Sequence, residues 1–188
     1  MKNLKIIFLL LCIVFSFTTN AQDKTNNEKF GKTLNISAGI GYYGYIGHPI
    51  AVGNVNYEFD IIKNFTLAPF IGLYSYQQNY YWGNNNTPYR NYSYKTVVVP
   101  AGIKGTYYFD ELIHASSKWD FYGSGSIGFT FRKSVWENEY YGDKRIIQTA
   151  SPLYLNAHIG AEYHMTSKVG IFLDLSTGLS TFGLAIHF

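Results

Sequence analysis

Along most of this chain hydrophobic residues recur at every second position, and no segment after residue 30 sustains a helical period. Alternation of this kind marks strands whose two faces meet different surroundings. It predicts strands near 33–43, 50–61, 65–76, 94–108, 119–132, 149–163, 168–175 and 179–188. One face carries Leu34, Ile36, Ala38, Ile40 and Tyr42 in the first strand, and Val97, Val99, Ala101, Ile103, Gly105 and Tyr107 in the fourth. The sixth and seventh repeat the pattern with Leu153, Leu155, Ala157 and Ile159, then Val169, Ile171, Leu173 and Leu175. Pro69 interrupts the third strand. Proline removes a ladder donor, so a bulge or irregularity is expected there.

Period two leaves open which face is inside. A soluble, exported lipocalin-like barrel would line a cavity for a small hydrophobic ligand with its apolar face. The polar faces decide between the two. In the fifth and sixth strands they read Tyr122, Ser124, Ser126, Gly128, Thr130, Arg132 and Tyr154, Asn156, His158, Gly160, Glu162, His164, rich in small residues and without lysine. A solvated exterior would be densely charged. The polar face is therefore read as a crowded interior and the apolar face as lipid contact. The predicted fold class is all-β, an eight-stranded antiparallel up-and-down transmembrane barrel, whose closure leaves no strand edge unpaired in the bilayer.

Composition and the chain's beginning agree with export to a membrane. Charged residues make up 14% of the chain, against about 25% in soluble domains. Lys2 and Lys5 precede an apolar run over 6–17 and then Thr19, Asn20 and Ala21, which reads as a secretory signal peptide cleaved after Ala21. The run is shorter than the roughly 20 residues of a spanning helix. Cys12 lies inside it behind Leu11, where lipidation would want a small residue, so residues 22–188 have no cysteine and no covalent staple. The expected organisation is a periplasmic segment over 22–32 and a barrel over 33–188. Without Lys2 and Lys5 the 15 basic residues fall to 13 against 12 acidic ones. That balance implies no nucleic-acid partner.

Aromatic residues gather toward strand ends. Tyr42, Tyr43, Tyr74, Tyr76, Tyr94, Phe129 and Phe131 lie toward one rim; Phe59, Phe65, Tyr107, Tyr108, Phe109, Trp119, Phe121, Tyr163 and Phe188 lie toward the other. Such bands fit the two interfaces of a bilayer. With an even strand count both barrel termini share the periplasmic side. The long polar connections at 77–93 and 133–148 are then external, and the turns at 62–64 and 164–167 are short, although the 110–118 connection is longer and has room for a helical turn.

The last strand ends with Thr181, Gly183, Ile186 and Phe188, which resemble the C-terminal signal read by the outer-membrane assembly machinery. Together with Gly39-Ile-Gly-Tyr-Tyr, Val99-Pro-Ala-Gly-Ile-Lys-Gly-Thr-Tyr-Tyr-Phe109 and Phe121-Tyr-Gly-Ser-Gly-Ser-Ile-Gly-Phe129, this ending resembles the small outer-membrane β-barrel, porin-like family of Gram-negative bacteria. The resemblance implies residence in the outer membrane, with lipid and the assembly machinery as partners. It specifies architecture much better than activity.

Candidate chemistry is sparse. The segments 39–44 and 123–128 match G-x-G-x-x-G but lie in strands, away from any helix N-terminus that would bind phosphate, so they are read as glycines making room inside a narrow barrel and no cofactor is assigned. His158, His164 and His187 fall on the inner face and are read as satisfied interior groups, with no metal assigned. A lipid-modifying enzyme would need serine, histidine and a carboxylate facing the membrane; none is evident and no catalytic residue is assigned. Glu58, Lys104, Arg132, Glu162 and Asp174 fall on inner positions of separate strands, where unpaired charge is expensive, so they are expected to form a polar network. Eight strands enclose space that side chains fill, so no general pore is expected. The reading is a monomeric barrel with a structural or surface-interaction role, Tyr80, Tyr81 and Trp82 being the candidate contacts of an external loop with an unidentified extracellular ligand.

Overall fold

The computed structural model describes residues 30–41, 50–144 and 152–188. The proposed signal peptide, Tyr42, Tyr43, His48 and the remainder of the 133–148 loop beyond residue 144 lie outside the described residues. These residues form β1 (Thr33–Gly41), β2 (Ile50–Ile62), β3 (Phe65–Asn84), β4 (Thr87–Tyr108), a single helical turn α1 (Asp110–Ile113), β5 (Trp119–Trp136), β6 (Leu153–His164), β7 (Val169–Ser176) and β8 (Leu179–His187). The strands pair in sequence order, and β8 closes on β1. All eight pairings are antiparallel.

Orientation follows the alternation. Every strand sends large apolar side chains outward, among them Ile36, Val55, Leu73, Ile103, Ile127, Leu155, Leu173 and Leu184, and Ile159 and Phe129 are each 60% exposed. Thr33, Asn56, Thr66, Thr106, Ser126, Glu162, Asp174 and Thr181 are buried on the opposite face. A lipocalin-like barrel requires the reverse arrangement. An apolar belt contributed by all eight strands has only lipid as a suitable solvent.

Three details differ from the sequence reading. The β2–β3 ladder is interrupted at Pro69, between Asn56↔Phe70 and Phe59↔Leu67, as the expected irregularity, but the register is the same on both sides of the gap and the shift falls between Asp60 and Ile62. The 77–93 segment is largely not a loop. β3 and β4 run on to Asn84 and from Thr87, paired through Tyr80↔Tyr92 and Trp82↔Arg90. The aromatic bands are thinner than expected, because Tyr74, Tyr94 and Tyr108 are buried and Tyr76 packs against the core inside the barrel. Outward rings remain at both levels, Trp119 packing on Phe121 and Tyr163 at one end, with Phe129 and Phe131 exposed toward the other.

The glycine-rich segments divide. Gly128 and Gly102 face each other across β4 and β5 so closely that a Cβ on either would meet the other strand's backbone. Gly39 meets the backbone of Ser180 in the same way, whereas Gly125 has open space around it and needs no glycine on that account.

Candidate functional site

The lumen is filled at three levels. At the end that holds the start of β1, Phe30 stacks on Tyr108 with ring centroids 4.0 Å apart, and its amide donates to Asp60 Oδ1 at 3.2 Å. Phe30 thus reaches in from the start of β1 and packs over part of the lumen at this end. Toward the other end Val52, Phe70, Tyr74, Val98, Tyr154 and Leu179 form an apolar plug, which the polar-lumen expectation did not include.

Between them lie the predicted interior charges. Asp174 of β7 accepts from Lys104 Nζ of β4, from Tyr122 Oη of β5 at 3.3 Å, and contacts His158 Nδ1 of β6 at 2.7 Å. Glu58 of β2 accepts from the Thr66 and Tyr108 hydroxyls and from Asn35 Nδ2 at 3.1 Å. Glu162 of β6 sits 2.7 Å from His187 Nε2 of β8. The expected network is therefore several clusters, each centred on one carboxylate. Arg132 lies on the same inner face of β5 further along, opposite Val98.

One of these clusters has the connectivity of a nucleophilic triad. Ser126 Oγ is 2.9 Å from His158 Nε2, and His158 Nδ1 is 2.7 Å from Asp174 Oδ1. Acyl transfer also needs room for a carbonyl substrate and free donors for its oxyanion. The cavity beside Ser126 measures about 30 Å³, room for a water or two. Ser126 is itself paired in the β4–β5 ladder, and Lys104 already occupies Asp174. These three residues are interior hydrogen-bond partners beside a cavity far smaller than a lipid ester.

The end that holds the start of β1 gathers a second set of titratable groups. His164 Nε2 lies 2.7 Å from Asp120 Oδ2, His164 Nδ1 lies 3.8 Å from Glu162 Oε1, and His187 Nδ1 lies 2.9 Å from Thr33 Oγ1. Asp120 is absent from the sequence reading, although its alternation with Tyr122 and Ser124 places it on the inner face. In α1, outside the barrel wall, burial pushes the Asp110 carboxyl above its usual range. Hydrogen bonds from Lys63 and Asn64 hold neighbouring Glu111 below its own.

At the opposite end the β3–β4 hairpin projects. Its outer face turns polar beyond Leu73, with Gln77 paired to Lys95, Asn79 to Ser93 and Tyr81 to Asn91. Its inner face stays aromatic: Tyr80, Trp82 and Tyr92 pack on Trp136 and Tyr140, which stack on each other at 4.0 Å. Arg90 clamps the sheet to the 137–140 turn through Glu139 and Glu137. Of the predicted contacts, Tyr80 and Trp82 are thus spent on packing. Tyr81 alone is open, 64% exposed, beside an equally exposed Tyr89 whose ring centroid is 5.9 Å away.

At the carboxyl end Thr181 and Gly183 face the lumen, Leu184 and Ile186 stand on the outer face, and Phe188 is 76% exposed just after β8, its amide donating to Lys32 O at 3.0 Å. Gly183 lets β8 approach Ile36 and Ser37 of β1 and the Phe172 ring.

Comparison with solved structures agrees with this architecture. Neisserial surface protein A superposes with a TM-score of 0.52 at 11% identity, over 83% of this chain and 95% of that one. This is the fold of the small outer-membrane β-barrels. A de novo designed transmembrane β-barrel matches with a TM-score of 0.45 and 14% identity over 85% of this chain and 98% of the design. Ail, the attachment invasion locus protein of Yersinia pestis, matches with 0.46 and 8% over 83% of this chain and 96% of its own. No family model and no curated protein matches the sequence. At these identities the outer-membrane barrel likeness is one of fold alone.

Proposed function

We propose that this chain is an integral outer-membrane protein whose barrel is a closed anchor and whose working part is the projecting β3–β4 hairpin. The observation that carries the reading is the contrast between the two ends of the same strands. A transmembrane strand needs roughly 9–11 residues, and the apolar outer face of β4 occupies 97–107. Residues 87–96 continue past it for roughly 33 Å of strand at ~3.3 Å per residue.

A free two-stranded ribbon of that length is marginal in water. This one is held by the Trp82, Tyr92, Trp136 and Tyr140 cluster and by the Arg90 ion pairs. Rigid support under an exposed Tyr81 and Tyr89 pair suits recognition, because little side-chain entropy is lost on contact. The filled lumen supports an anchoring role for the remainder.

The test is the Tyr81→Ala, Tyr89→Ala double variant, displayed on cells at wild-type levels and assayed for adhesion to host-surface or matrix ligands that the wild type binds. Loss of adhesion with an unchanged heat-dependent gel shift supports a surface-interaction role. Undiminished adhesion refutes the assignment of this hairpin face.

A further inference from the structure

Glu162, His164 and His187 present one oxygen and two nitrogens that all lie within 4.8 Å of one another. Two of these residues are on β6 and one on β8, strands separated by β7. They meet because Gly170 of β7 has no side chain: a Cβ there would collide with the Glu162 carboxylate, which crosses over it toward His187. We propose that these three side chains form a zinc-type divalent metal site at the periplasmic mouth of the barrel.

The donor geometry is close to what such an ion needs. Zinc bonds of about 2.0–2.2 Å place neighbouring ligand atoms of a tetrahedral site roughly 3.3 Å apart. Glu162 Oε1 lies 2.7 Å from His187 Nε2 and 3.8 Å from His164 Nδ1, separations on either side of that value. The two ring nitrogens lie within 4.8 Å of each other, so side-chain movements of up to about 1.5 Å bring all three donors to an ion, and two imidazoles with one carboxylate leave a fourth position for water.

The surroundings have the arrangement that orients metal-bound histidines. In such sites the ring nitrogen turned away from the metal is held by a carboxylate, carbonyl or other polar partner. Here the outer nitrogen of His164, Nε2, is held by Asp120 at 2.7 Å, and the outer nitrogen of His187, Nδ1, by Thr33 Oγ1 at 2.9 Å. Thr33 is itself fixed by donating to Phe30 O at 2.9 Å. Each imidazole thus directs its remaining nitrogen at Glu162. A depression lined by Lys118, Asp120, His164 and Met165 opens this cluster to the periplasm and gives the ion a route in. Bound there, the ion cross-links β6 to β8 over β7 beside the barrel's closing seam.

The test uses tag-free protein extracted from outer membranes in detergent, stripped with chelator and titrated with zinc chloride by calorimetry. The expected result is one ion per chain and a raised melting temperature. His164→Gln and His187→Gln should each weaken binding at least tenfold, and Asp120→Asn and Thr33→Val by about 10–100-fold as outer-shell changes. His114→Ala, at an exposed position outside the cluster, should leave it unchanged. Cobalt added to the stripped wild type should give the visible absorption of a four-coordinate nitrogen and oxygen site, a readout that needs no variant to fold. No saturable zinc uptake by the wild type, uptake unaffected by both histidine changes, or a purely six-coordinate cobalt spectrum overturns the proposal.

Discussion

Asp174 is the lumenal carboxylate that holds a lysine, Lys104, and substituting it or its cation tests whether the interior charges hold the barrel together. Asp174 is 5% exposed at its side chain and Lys104 13%. The carboxylate receives Lys104, Tyr122 and His158 from three different strands. Removing one member of a buried pair typically costs about 3–5 kcal/mol, because a desolvated charge is left without its partner. Asp174→Asn strands the Lys104 ammonium and belongs at the upper end of that range. Lys104→Met leaves a carboxylate that still has His158 and Tyr122, so it belongs near the lower end, about 3 kcal/mol. With both changes no net charge remains, and the double variant should lie well above the sum of the singles. A coupling of at least about 2 kcal/mol is expected for such neighbours. The assay is reversible urea unfolding of protein refolded into lipid vesicles, followed by tryptophan fluorescence. Single-variant losses under about 1 kcal/mol, or additive losses, would show that the lumen is wet enough to screen the pair and would refute the reasoning.

Further predictions rest on other parts of the molecule. Ile159→Arg, on the lipid face, should cost about 2–4 kcal/mol in the same assay if the residue sits near the bilayer midplane, whereas Ser75→Arg, at the edge of the belt opposite Val97, should cost under about 1 kcal/mol near the interface. Gly170→Ala should push the Glu162 carboxylate aside and separate it from His187, costing about 1 kcal/mol as one lost hydrogen bond; an unchanged His187 environment by NMR would show that the carboxylate does not cross β7. Ser126 should resist labelling by fluorophosphonate probes in the folded protein, since the cavity beside it has room for only a water or two; stoichiometric labelling would revive an enzymatic reading. Phe188→Asp should slow insertion by the assembly machinery while leaving unaided refolding in detergent close to wild type, and unimpaired insertion in cells would remove the assembly-signal assignment.

Much of the architecture was legible because lipid imposes one rule on every strand. Ile36, Ile103, Leu155 and Leu173 alternate with residues such as Ser37, Lys104, Asn156 and Asp174, and each pair sorts to opposite faces. Where lipid ends, the rule changes. In the overhang of β3 the outer face becomes Gln77 and Asn79, and a reader looking for alternating apolar residues sees a loop. The strand signal had moved to the inner face, where Tyr76, Tyr80 and Trp82 continue against Tyr92 and Tyr94.

The cluster of Glu162, His164 and His187 was hidden for a different reason. That Glu162, His164 and His187 face inward follows from parity. That they converge depends on the register of β6, β7 and β8 and on the gap at Gly170, which are properties of the closed sheet and of no single strand. At Pro69 the expected irregularity is a gap in the ladder, which the barrel wall carries without a change of register.

The central claim is that the odd-numbered residues of β6 meet lipid while the even-numbered ones fill the barrel. Single cysteines along this strand test it directly, because Cys12, the chain's only cysteine, lies in the proposed signal peptide. Each cysteine at 153 to 160 would be labelled with an environment-sensitive fluorophore, with the protein folded in vesicles that contain brominated lipid. The account predicts strong quenching at Leu153, Leu155, Ala157 and Ile159 and weak quenching at Tyr154, Asn156, His158 and Gly160. Quenching with the opposite parity, or with none, would contradict it.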